Sequence, residues 1–273
     1  MDDAALGHQT LITYSRGLAR WCHGGATIER DGALAYAGGS WLPVGGNGAF
    51  RIDDSVAPDT VLELVNGFFA ERGRGYSVKV RDSGQDEDLR VACEAHGLVA
   101  FGDPVPEMIC RAPLDVPAQA EGVTLRRVDD LDGVAAFTSV NGAAYGTYGM
   151  PADVTADMFD RPEAVLDEAD MAIVVAWRDG LALATALVFC SDGTASLQWV
   201  GTRPEARQLR LGAAVTVWAT NEAFARGAAT YTLQASVMGQ PLYRRLGYET
   251  LYHYSEYVRW TAPEKDGPAD PLD

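Results

Sequence analysis

The segment "VGTRPEARQLRLGAAV" (residues 200–215) joins the end of a predicted strand to the start of a predicted helix. It carries Arg203, Arg207 and Arg210 in a chain whose formal net charge is −16. The first amides of a helix lack intrahelical partners and lie at the positive end of the helix dipole, so they favour a phosphate. We therefore expect an anion at this junction. The alternative is that the arginines are solvated or paired with Glu205.

The residues before this junction predict a three-strand antiparallel meander. Its strands lie within "MAIVVAWRDG" (171–180), "LALATALVFCSDG" (181–193) and "TASLQWVGT" (194–202), and the "RDG" and "SDG" turns suit tight hairpins. A predicted strand at 123–128 and predicted helices near 131–146 and 162–169 come before the meander.

The residues after the junction alternate between helix and strand. The pattern predicts a helix over 211–227, a strand over 230–235, a short helix over 241–247 and a last pair of strands within 248–260. Glycine ends both helices, as is common at helix C-termini. The second half is therefore an α/β (α+β) unit with a mixed sheet.

The first half contains a weak copy of this ending. "FFAERGRGYSVKV" (68–80) resembles "AFARGAATYTLQA" (223–235), and "CEAHGLVAFG" (93–102) resembles "YRRLGYETLY" (243–252). These pairs predict a duplicated unit. A proline-bearing linker, "APLDVPAQAEG" (112–122), separates the copies. We expect domains at 1–115 and 116–262, and a disordered tail at 263–273.

Composition excludes several classes of partner. The chain has 273 residues, 47% of them hydrophobic, which is enough for a folded core. Its negative charge would repel nucleic acid and anionic membranes. The four cysteines and four histidines are scattered, so we expect no metal. An acidic N-terminus and the lack of a long apolar run favour a cytoplasmic protein.

The second half resembles the GCN5-related N-acetyltransferase (GNAT) family over about residues 122–260. The family's loop motif, Gln or Arg, two residues, Gly, one residue, Gly or Ala, appears as "RQLRLG" (207–212), with Arg210 in place of one glycine. The motif follows a strand, and "YRRLGY" (243–248) follows the next strand, as in the family. The resemblance implies two tandem GNAT-like domains, each a mixed, mostly antiparallel sheet flanked by helices.

The resemblance also implies a site for acetyl-CoA, used as co-substrate. The pantetheine arm would insert between the strand carrying Trp199 and Val200 and the strand ending near Ser236. The backbone amides of 208–213 would hold the pyrophosphate. The implied cofactor-binding residues are Trp199, Val200, Arg207, Gln208, Leu209, Arg210, Leu211, Gly212, Ala213 and Ser236.

Tyr243 lies where the family often has a tyrosine that protonates the departing CoA thiolate, a role that a phenol can fill. Its other interpretation is a ring that only packs, and Trp199 can also be read as a core residue. We expect Arg210 to adopt helical backbone angles and to meet a CoA phosphate. The alternative is that its side chain blocks the groove.

The acceptor side is less specific. Asn141, Tyr145 and Tyr148 are candidates for a substrate pocket, although a loop of this composition also suits simple turns. Glu222 and Asp192 are candidate general bases, with a chain of waters as the alternative.

The first half lacks the loop arginines and glycine, since "SVAPD" (55–59) stands in their place, and Cys93 replaces the tyrosine. We therefore interpret it as a degenerate GNAT-like domain.

These observations predict an N-acetyltransferase that moves an acetyl group from acetyl-CoA to an amine of a small molecule. The alternatives are a non-catalytic acyl-CoA-binding module, or hydrolysis or decarboxylation of an acyl-CoA on the same scaffold. We expect one acetyl-CoA site per chain, and we expect residues 116–262 to bind it if they fold alone. The sequence leaves the acceptor, the acyl-chain preference and the oligomeric state open.

Overall fold

A computed structural model describes residues 2–118 and 120–261, so the predicted tail at 263–273 lies outside the described residues. The elements of the first half are α1 (Asp3–Leu18), β1 (Ala26–Arg30), β2 (Ala33–Ala37), α2 (Pro43–Gly46), β3 (Asn47–Arg51), α3 (Pro58–Ala70), β4 (Tyr76–Arg81), α4 (Glu87–Ala95) and β5 (Val99–Cys110).

The second half repeats this alternation with a longer meander. Its elements are β6 (Val123–Arg127), α5 (Leu131–Tyr145), α6 (Ala152–Met158), α7 (Pro162–Leu166), β7 (Met171–Arg178), β8 (Leu181–Ser191), β9 (Thr194–Thr202), α8 (Leu211–Ala225), β10 (Thr230–Gln234), α9 (Gln240–Arg245) and β11 (Glu249–Arg259). Single 3₁₀ turns follow α5 at Gly146–Tyr148 and precede α8 at Pro204–Ala206.

All eleven strands of the described chain form one sheet in the order β1-β2-β3-β4-β11-β5-β10-β9-β8-β7-β6. The pairs β3–β4 and β9–β10 are parallel, and the other neighbours are antiparallel. The last strand of each half pairs with a strand of the other half, because β5 lies beside β10 and β11 lies beside β4. The two halves therefore exchange their last strands.

The exchange is reciprocal and follows the sequence repeat. Glu107 of β5 stands opposite Gln234 of β10, and Glu256 of β11 stands opposite Lys79 of β4. Lys79 and Gln234 are equivalent positions in the two repeated segments, at the same place in "GYSVKV" and "TYTLQA". The structural repeat thus matches the repeat that the sequence predicts.

The apolar core has three parts. One lies under α8 and includes Met108 of β5, although that strand belongs to the first half. A second lies under α1, α5 and α6, where Ile12 and Tyr14 of α1 meet residues of β8 and β11. The third lies under α3 and α4. Helix α1 therefore packs against strands of both halves.

Helix starts follow ordinary capping chemistry at both α1 and α5. The side chain of Asp2 accepts a hydrogen bond from the Ala5 amide at 2.8 Å, and that of Asp130 accepts one from the Gly133 amide at 2.7 Å. These caps fix the N-termini of the two helices that cover the central strands.

Most of the predicted elements are confirmed, and two predictions are wrong. The meander is present as β7, β8 and β9. The predicted last pair of strands is a single strand, β11, which contacts β4 on one side and β5 on the other. Helix α6 was not predicted, because Pro151 and the polar residues around it indicate a loop.

Because of the strand exchange, the predicted boundary at residue 115 does not separate two complete sheets. The boundary follows the chain, but residues 116–262 without the first half would lack β5 between β10 and β11. A piece of that length would expose the hydrogen-bonding edges of both strands. The expectation that it binds a ligand by itself therefore loses its structural basis.

Candidate active site

A cavity opens where β9 and β10 separate. Their parallel pairing ends at Leu197 opposite Leu233, and the cavity of about 790 Å³ begins between the next residues, Gln198 and Gln234. The separation lies between the two strands where the resemblance implies the pantetheine arm. Free backbone edges on both sides of such an opening can pair with an extended ligand, as a strand would.

A bulge in β9 produces the separation. The register with β8 shifts between Thr185 and Leu187, and Trp199 takes a φ of 53°, which is unusual for a bulky side chain. The indole of Trp199 packs edge-on against Tyr145 and Phe159, with ring centroids 5.5 and 5.2 Å apart. Aromatic packing thus holds a strained residue in place.

Asn141 lies behind this bulge and outside the cavity lining, which corrects its predicted place in the acceptor pocket. It is fully buried, and its Nδ2 donates to the Phe137 carbonyl at 3.2 Å. A Cβ at Gly201 would come within 2.5 Å of Asn141 Oδ1, so the glycine lets helix α5 and strand β9 approach closely. Asn141 therefore supports the bulge from behind.

The three loop arginines do not share one site. Arg203 donates to the Ala182 carbonyl at 2.8 Å and to Ser139 Oγ at 2.6 Å, away from the cavity. Arg207 and Arg210 line the cavity. Arg207 donates to Thr147 Oγ1 at 2.8 Å, so its guanidinium is already oriented along the loop.

Arg210 takes left-handed backbone angles, φ 59° and ψ 17°, and not the helical angles expected from the sequence. This conformation is the one that glycine adopts easily, which explains why glycine suits this position of the motif. Gln208 also has a positive φ, 74°. The loop therefore keeps a glycine-type path while carrying two larger side chains. The Arg210 side chain is exposed at the cavity edge.

The loop presents backbone amides to the cavity. Helix α8 begins at Leu211, so the amides of Leu211, Gly212 and Ala213 lie in its first turn and have no intrahelical acceptor. The Leu209 amide is turned away, since it donates to the Ala206 carbonyl at 3.4 Å, and Leu209 packs on the core. Leu209 is thus outside the lining, in contrast to its predicted role.

Apart from Asn141, Leu209 and the two candidate bases, the residues predicted for the site line the cavity. Tyr243 lines it from α9, and Tyr145 and Tyr148 line it from the end of α5 and the 3₁₀ turn that follows. The hydroxyl of Tyr148 lies 3.3 Å from Ser236 Oγ, so the two sides approach each other across the opening. The roles of these residues stay predictions.

Sequence reasoning missed several lining residues. Val105 belongs to the first half and reaches the cavity only through the strand exchange, which no local pattern indicates. Gln234 alternates with the buried Leu233 on β10, and that alternation could have identified it. Arg245 lies three residues after Leu242 on α9, so helical spacing could have placed both on one face.

The lining is cationic and contains no carboxylate among the described residues, although the whole chain is acidic. Its charged members are Arg207, Arg210 and Arg245. Burial raises the pKa of Tyr243, so its phenol stays protonated at neutral pH. The site can therefore hold an anion and donate a proton.

Both candidate bases lie elsewhere. Glu222 accepts hydrogen bonds at 2.9 Å from Arg127 and from Arg226, on the exposed side of α8. Asp192 is exposed in the hairpin turn between β8 and β9. Neither residue lines the cavity.

A family comparison agrees with this geometry. Residues 115–243 match the sequence model of the acetyltransferase (GNAT) domain, a little under half of the chain. This segment is therefore similar in sequence to the GNAT domain. The family acts by acyl transfer, and the match spans the meander, the loop and Tyr243. A search of the curated proteins found no match.

Solved structures share the fold of nearly the whole chain. A GCN5-related N-acetyltransferase from Kribbella flavida has a TM-score of 0.70 and 24% identity, and the match covers 94% of this chain and 96% of that one. One from Sphaerobacter thermophilus has a TM-score of 0.60, 19% identity and coverages of 86% and 78%. A tandem GNAT protein from the clavulanic acid biosynthesis pathway has a TM-score of 0.58, 14% identity and coverages of 96% and 98%.

The first half holds ion pairs at the place that corresponds to the opening between β9 and β10. Arg81 ends β4, as Ser236 follows β10, and its side chain forms hydrogen bonds with Asp86 at 2.7 and 2.8 Å and with Asp54 at 2.6 Å. Arg51, which ends β3, is also buried and contacts Asp88 at 2.7 Å. Side chains of the protein therefore fill this position.

Two further observations concern the described residues only. None of the helices there combines the length and hydropathy needed to cross a bilayer. No group of three or more His, Cys, Asp or Glu side chains within residues 2–118 and 120–261 is placed to hold a metal ion.

Proposed function

We propose that this protein transfers the acetyl group of acetyl-CoA to an amine of a small molecule. The observation that carries the proposal is that one cavity combines separated strand edges, free helix-start amides, arginines and a protonated tyrosine. The helix-start amides and arginines suit the pyrophosphate of acetyl-CoA, and the protonated tyrosine suits its thioester.

The amides of Leu211, Gly212 and Ala213 would hold the pyrophosphate. They point from a helix start, where backbone donors and the dipole favour phosphate. Gly212 has no side chain, so its backbone stays accessible to a ligand. Arg207 and Arg210 would add charge-assisted hydrogen bonds to phosphate oxygens.

The pantetheine arm would lie between β9 and β10. Beyond Leu197 and Leu233 the two strands no longer pair with each other, so their backbone groups are available to the amides of the arm. The bulge at Trp199 would direct the thioester toward the wall formed by Tyr145 and Tyr148. We assign the acceptor to this wall, because the pyrophosphate would occupy the loop and the start of α8.

Tyr243 would supply the proton that the leaving CoA sulfur needs. A positioned general acid contributes about 10²- to 10⁴-fold to the rate of such a step. The raised pKa keeps the phenol protonated before the reaction. The first half would bind no second acetyl-CoA, because buried ion pairs fill the corresponding position.

The experiment is an acetyl-transfer assay on the full chain. Purified protein is mixed with acetyl-CoA and a panel of primary amines that includes amino sugars, aminoglycosides, polyamines and arylalkylamines. Free CoA is measured with a thiol reagent and acetylated product by mass spectrometry. Amine-dependent CoA release with a matching product supports the proposal. CoA release without any amine would indicate hydrolysis, and binding without release would indicate a non-catalytic module.

A further inference from the structure

Glu107 lies on β5 beside the cavity and is 1% exposed. Val105, two residues earlier on the same face of this strand, lines the cavity. Glu107 stands directly opposite Gln234 of β10, another lining residue, and directly opposite Tyr252 of β11. Residues paired in this way have Cβ atoms about 4.5–5.5 Å apart on one face. Glu107 is therefore one residue pair away from the cavity wall.

Helix α1 covers this carboxyl from above. A Cβ at Gly7 would lie 3.4 Å from Glu107 Cγ and 3.4 Å from the Tyr252 hydroxyl. The glycine thus lets α1 lie close over the carboxyl, which excludes bulk solvent on that side. On the β10 side the carboxyl is next to Gln234, which lines the cavity.

Three polar atoms at this place lack partners, and one of them is Thr232 Oγ1, two residues before Gln234 on the same face of β10. Glu107 Oε2 and Gln234 Nε2 are both buried without a hydrogen bond. One is an acceptor and the other a donor, on directly opposed residues. A single water molecule between them would satisfy both, and buried waters usually serve such groups.

The equivalent carboxyl in the first half is neutralised. Glu256 stands opposite Lys79 and forms an ion pair with its ammonium group. In the second half Gln234 takes the place of that lysine, so Glu107 faces a neutral amide. The strand exchange therefore places a carboxyl without a directly opposed cation one residue pair from the cavity wall.

We propose that Glu107 takes the proton that the acceptor amine must lose, through one water held between Glu107 and Gln234. The inference rests on the proposed function. A primary ammonium group has no free electron pair, and no carboxylate lines the cavity within the described residues. The ammonium N–H proton passes to the water, and a water proton passes to Glu107 Oε2. The freed nitrogen pair forms the C–N bond with the thioester carbonyl carbon, the C–S bond breaks, and the sulfur takes the Tyr243 proton. The second proton that the nitrogen must lose then returns to the Tyr243 oxygen, which leaves a neutral amide, free CoA thiol, a neutral Tyr243 and a protonated Glu107.

The surroundings of Glu107 leave it as the group that titrates near neutral pH. Burial raises the pKa of Glu107 to about 8 and lowers that of His8 on α1 to about 4. Burial also raises the pKa of Tyr252 and Tyr254 on β11, so both stay neutral. The other charged groups that act on this cluster are Lys79 and Arg81 of β4, with Glu256, Asp86 and Asp54 beside them.

The test compares Glu107→Gln with the wild type on an amine whose own pKa is above 9. The pH dependence of kcat/KM reports the ionisation of the essential base in the free enzyme. In the wild type, kcat/KM should rise with pH and become constant near pH 8. In Glu107→Gln, kcat should fall about 100-fold. Its kcat/KM should go on rising with pH up to the pKa of the amine. Acetyl-CoA affinity should be unchanged by calorimetry.

Controls separate this role from a structural one. Glu222→Gln removes a carboxylate that lies on the far side of α8 and should keep the wild-type profile. Glu107→Asp keeps a carboxylate and should recover part of the rate, with kcat/KM still becoming constant near pH 8. If Glu107→Gln does not fold, two other variants test the proposal. Glu107→Asp should keep the pH dependence of kcat/KM, and Gln234→Leu should lower kcat at least tenfold.

The outcomes are distinct. A Glu107→Gln variant with kcat within threefold of the wild type and the same pH dependence of kcat/KM overturns the role of Glu107 and leaves acetyl transfer intact. An unchanged Gln234→Leu variant overturns the water between the two residues. A wild-type chain that acetylates none of the amines overturns the proposed function and the role of Glu107 with it.

Discussion

The indole Nε1 of Trp199 donates a hydrogen bond to the hydroxyl of Tyr14 at 2.6 Å. Tyr14 belongs to α1, in the first half of the chain, and Trp199 is the residue with positive φ in the bulge of β9. The bond therefore connects the first half directly to the residue that opens the cavity. A non-glycine residue in this conformation costs about 1–2 kcal/mol, so the bulge needs such support.

Removal of this bond should weaken both the fold and the site. In Tyr14→Phe the Trp199 N–H loses its partner, which costs about 1–3 kcal/mol and lowers Tm by about 2–4 °C per kcal/mol. With the bulge less fixed, acetyl-CoA should bind roughly threefold to tenfold more weakly, about 0.7–1.4 kcal/mol. Differential scanning fluorimetry and calorimetry measure the two effects.

Tyr76→Phe is the matched control, because Tyr76 donates its buried hydroxyl to Asn66 far from the cavity. It should lower Tm and leave acetyl-CoA affinity unchanged. Equal affinities for Tyr14→Phe and the wild type would mean that the bulge keeps its shape without the bond.

Arg210 allows the effects of charge and backbone to be separated. Arg210→Gly removes a cation from the cavity edge and suits the left-handed angles, whereas Arg210→Ala removes the same cation but keeps a Cβ in that conformation. Both variants should bind acetyl-CoA about tenfold more weakly, since a charge-assisted hydrogen bond contributes about 1.5–3 kcal/mol. Both should also have a flatter salt dependence.

Only Arg210→Ala should keep the backbone strain, so its Tm should lie below that of Arg210→Gly. Arg203→Gln serves as the control for charge alone, because Arg203 is held by Ala182 and Ser139 outside the lining. Calorimetry over a salt series checks the prediction. Tighter binding by Arg210→Gly would instead mean that the arginine obstructs the groove.

Tyr243→Phe should separate catalysis from binding. The change removes the phenolic proton and hardly alters the volume, so kcat should fall about 100-fold while acetyl-CoA affinity stays the same. Tyr248→Phe is the control, since its hydroxyl lies 2.7 Å from Thr220 Oγ1 inside the core. That variant should lose stability but keep kcat. An unchanged kcat in Tyr243→Phe would leave Tyr243 as a packing residue.

The pH dependence of stability tests the state of Glu107 without any substrate. In an unfolded chain a glutamate has a pKa of about 4.3, and in the fold that of Glu107 is about 8. Folding therefore takes up a proton between these values, so the carboxyl's contribution is retained below the lower pKa and lost as pH rises through the higher one. Glu107→Gln has no carboxyl at this position, so this decrease in stability with rising pH should be absent.

The Tm of Glu107→Gln relative to the wild type should therefore increase by about 5 °C or more between pH 5 and pH 9. Val105→Ala, on the same strand but without an ionisable group, should show a difference from the wild type that does not change with pH. A pH-independent difference for Glu107→Gln would contradict the raised pKa.

The sequence predicted the parts of this site that depend on local pattern. The turns of the meander, the helix start at Leu211 and the position of Tyr243 follow from short-range signals and from a motif. It could not predict Val105, Glu107 or Tyr14 at the site, because their position results from pairing with strands more than a hundred residues away. The prediction of helical backbone angles for Arg210 was wrong for a different reason. The path of the loop imposes left-handed angles at this position, whichever residue occupies it.

The strand exchange leads to a last prediction, on how much of the chain the site needs. The fragment 116–261 contains the whole cavity lining except Val105, but it lacks β5 and α1. Without β5, the strands β10 and β11 lose their shared neighbour, and Met108 and Cys110 are absent from the core under α8. The loss of two buried side chains and a paired strand costs more free energy than the total unfolding free energy of many domains.

We expect this fragment neither to unfold cooperatively nor to bind acetyl-CoA, whereas a mixture with the fragment 2–111 should recover binding. The full chain should bind one acetyl-CoA. Calorimetry on the full chain, on each fragment and on the mixture measures all of these outcomes, with circular dichroism as the check on folding. Full affinity in 116–261 alone would show that β5 is dispensable, and two sites per full chain would mean that the first half retains a site of its own.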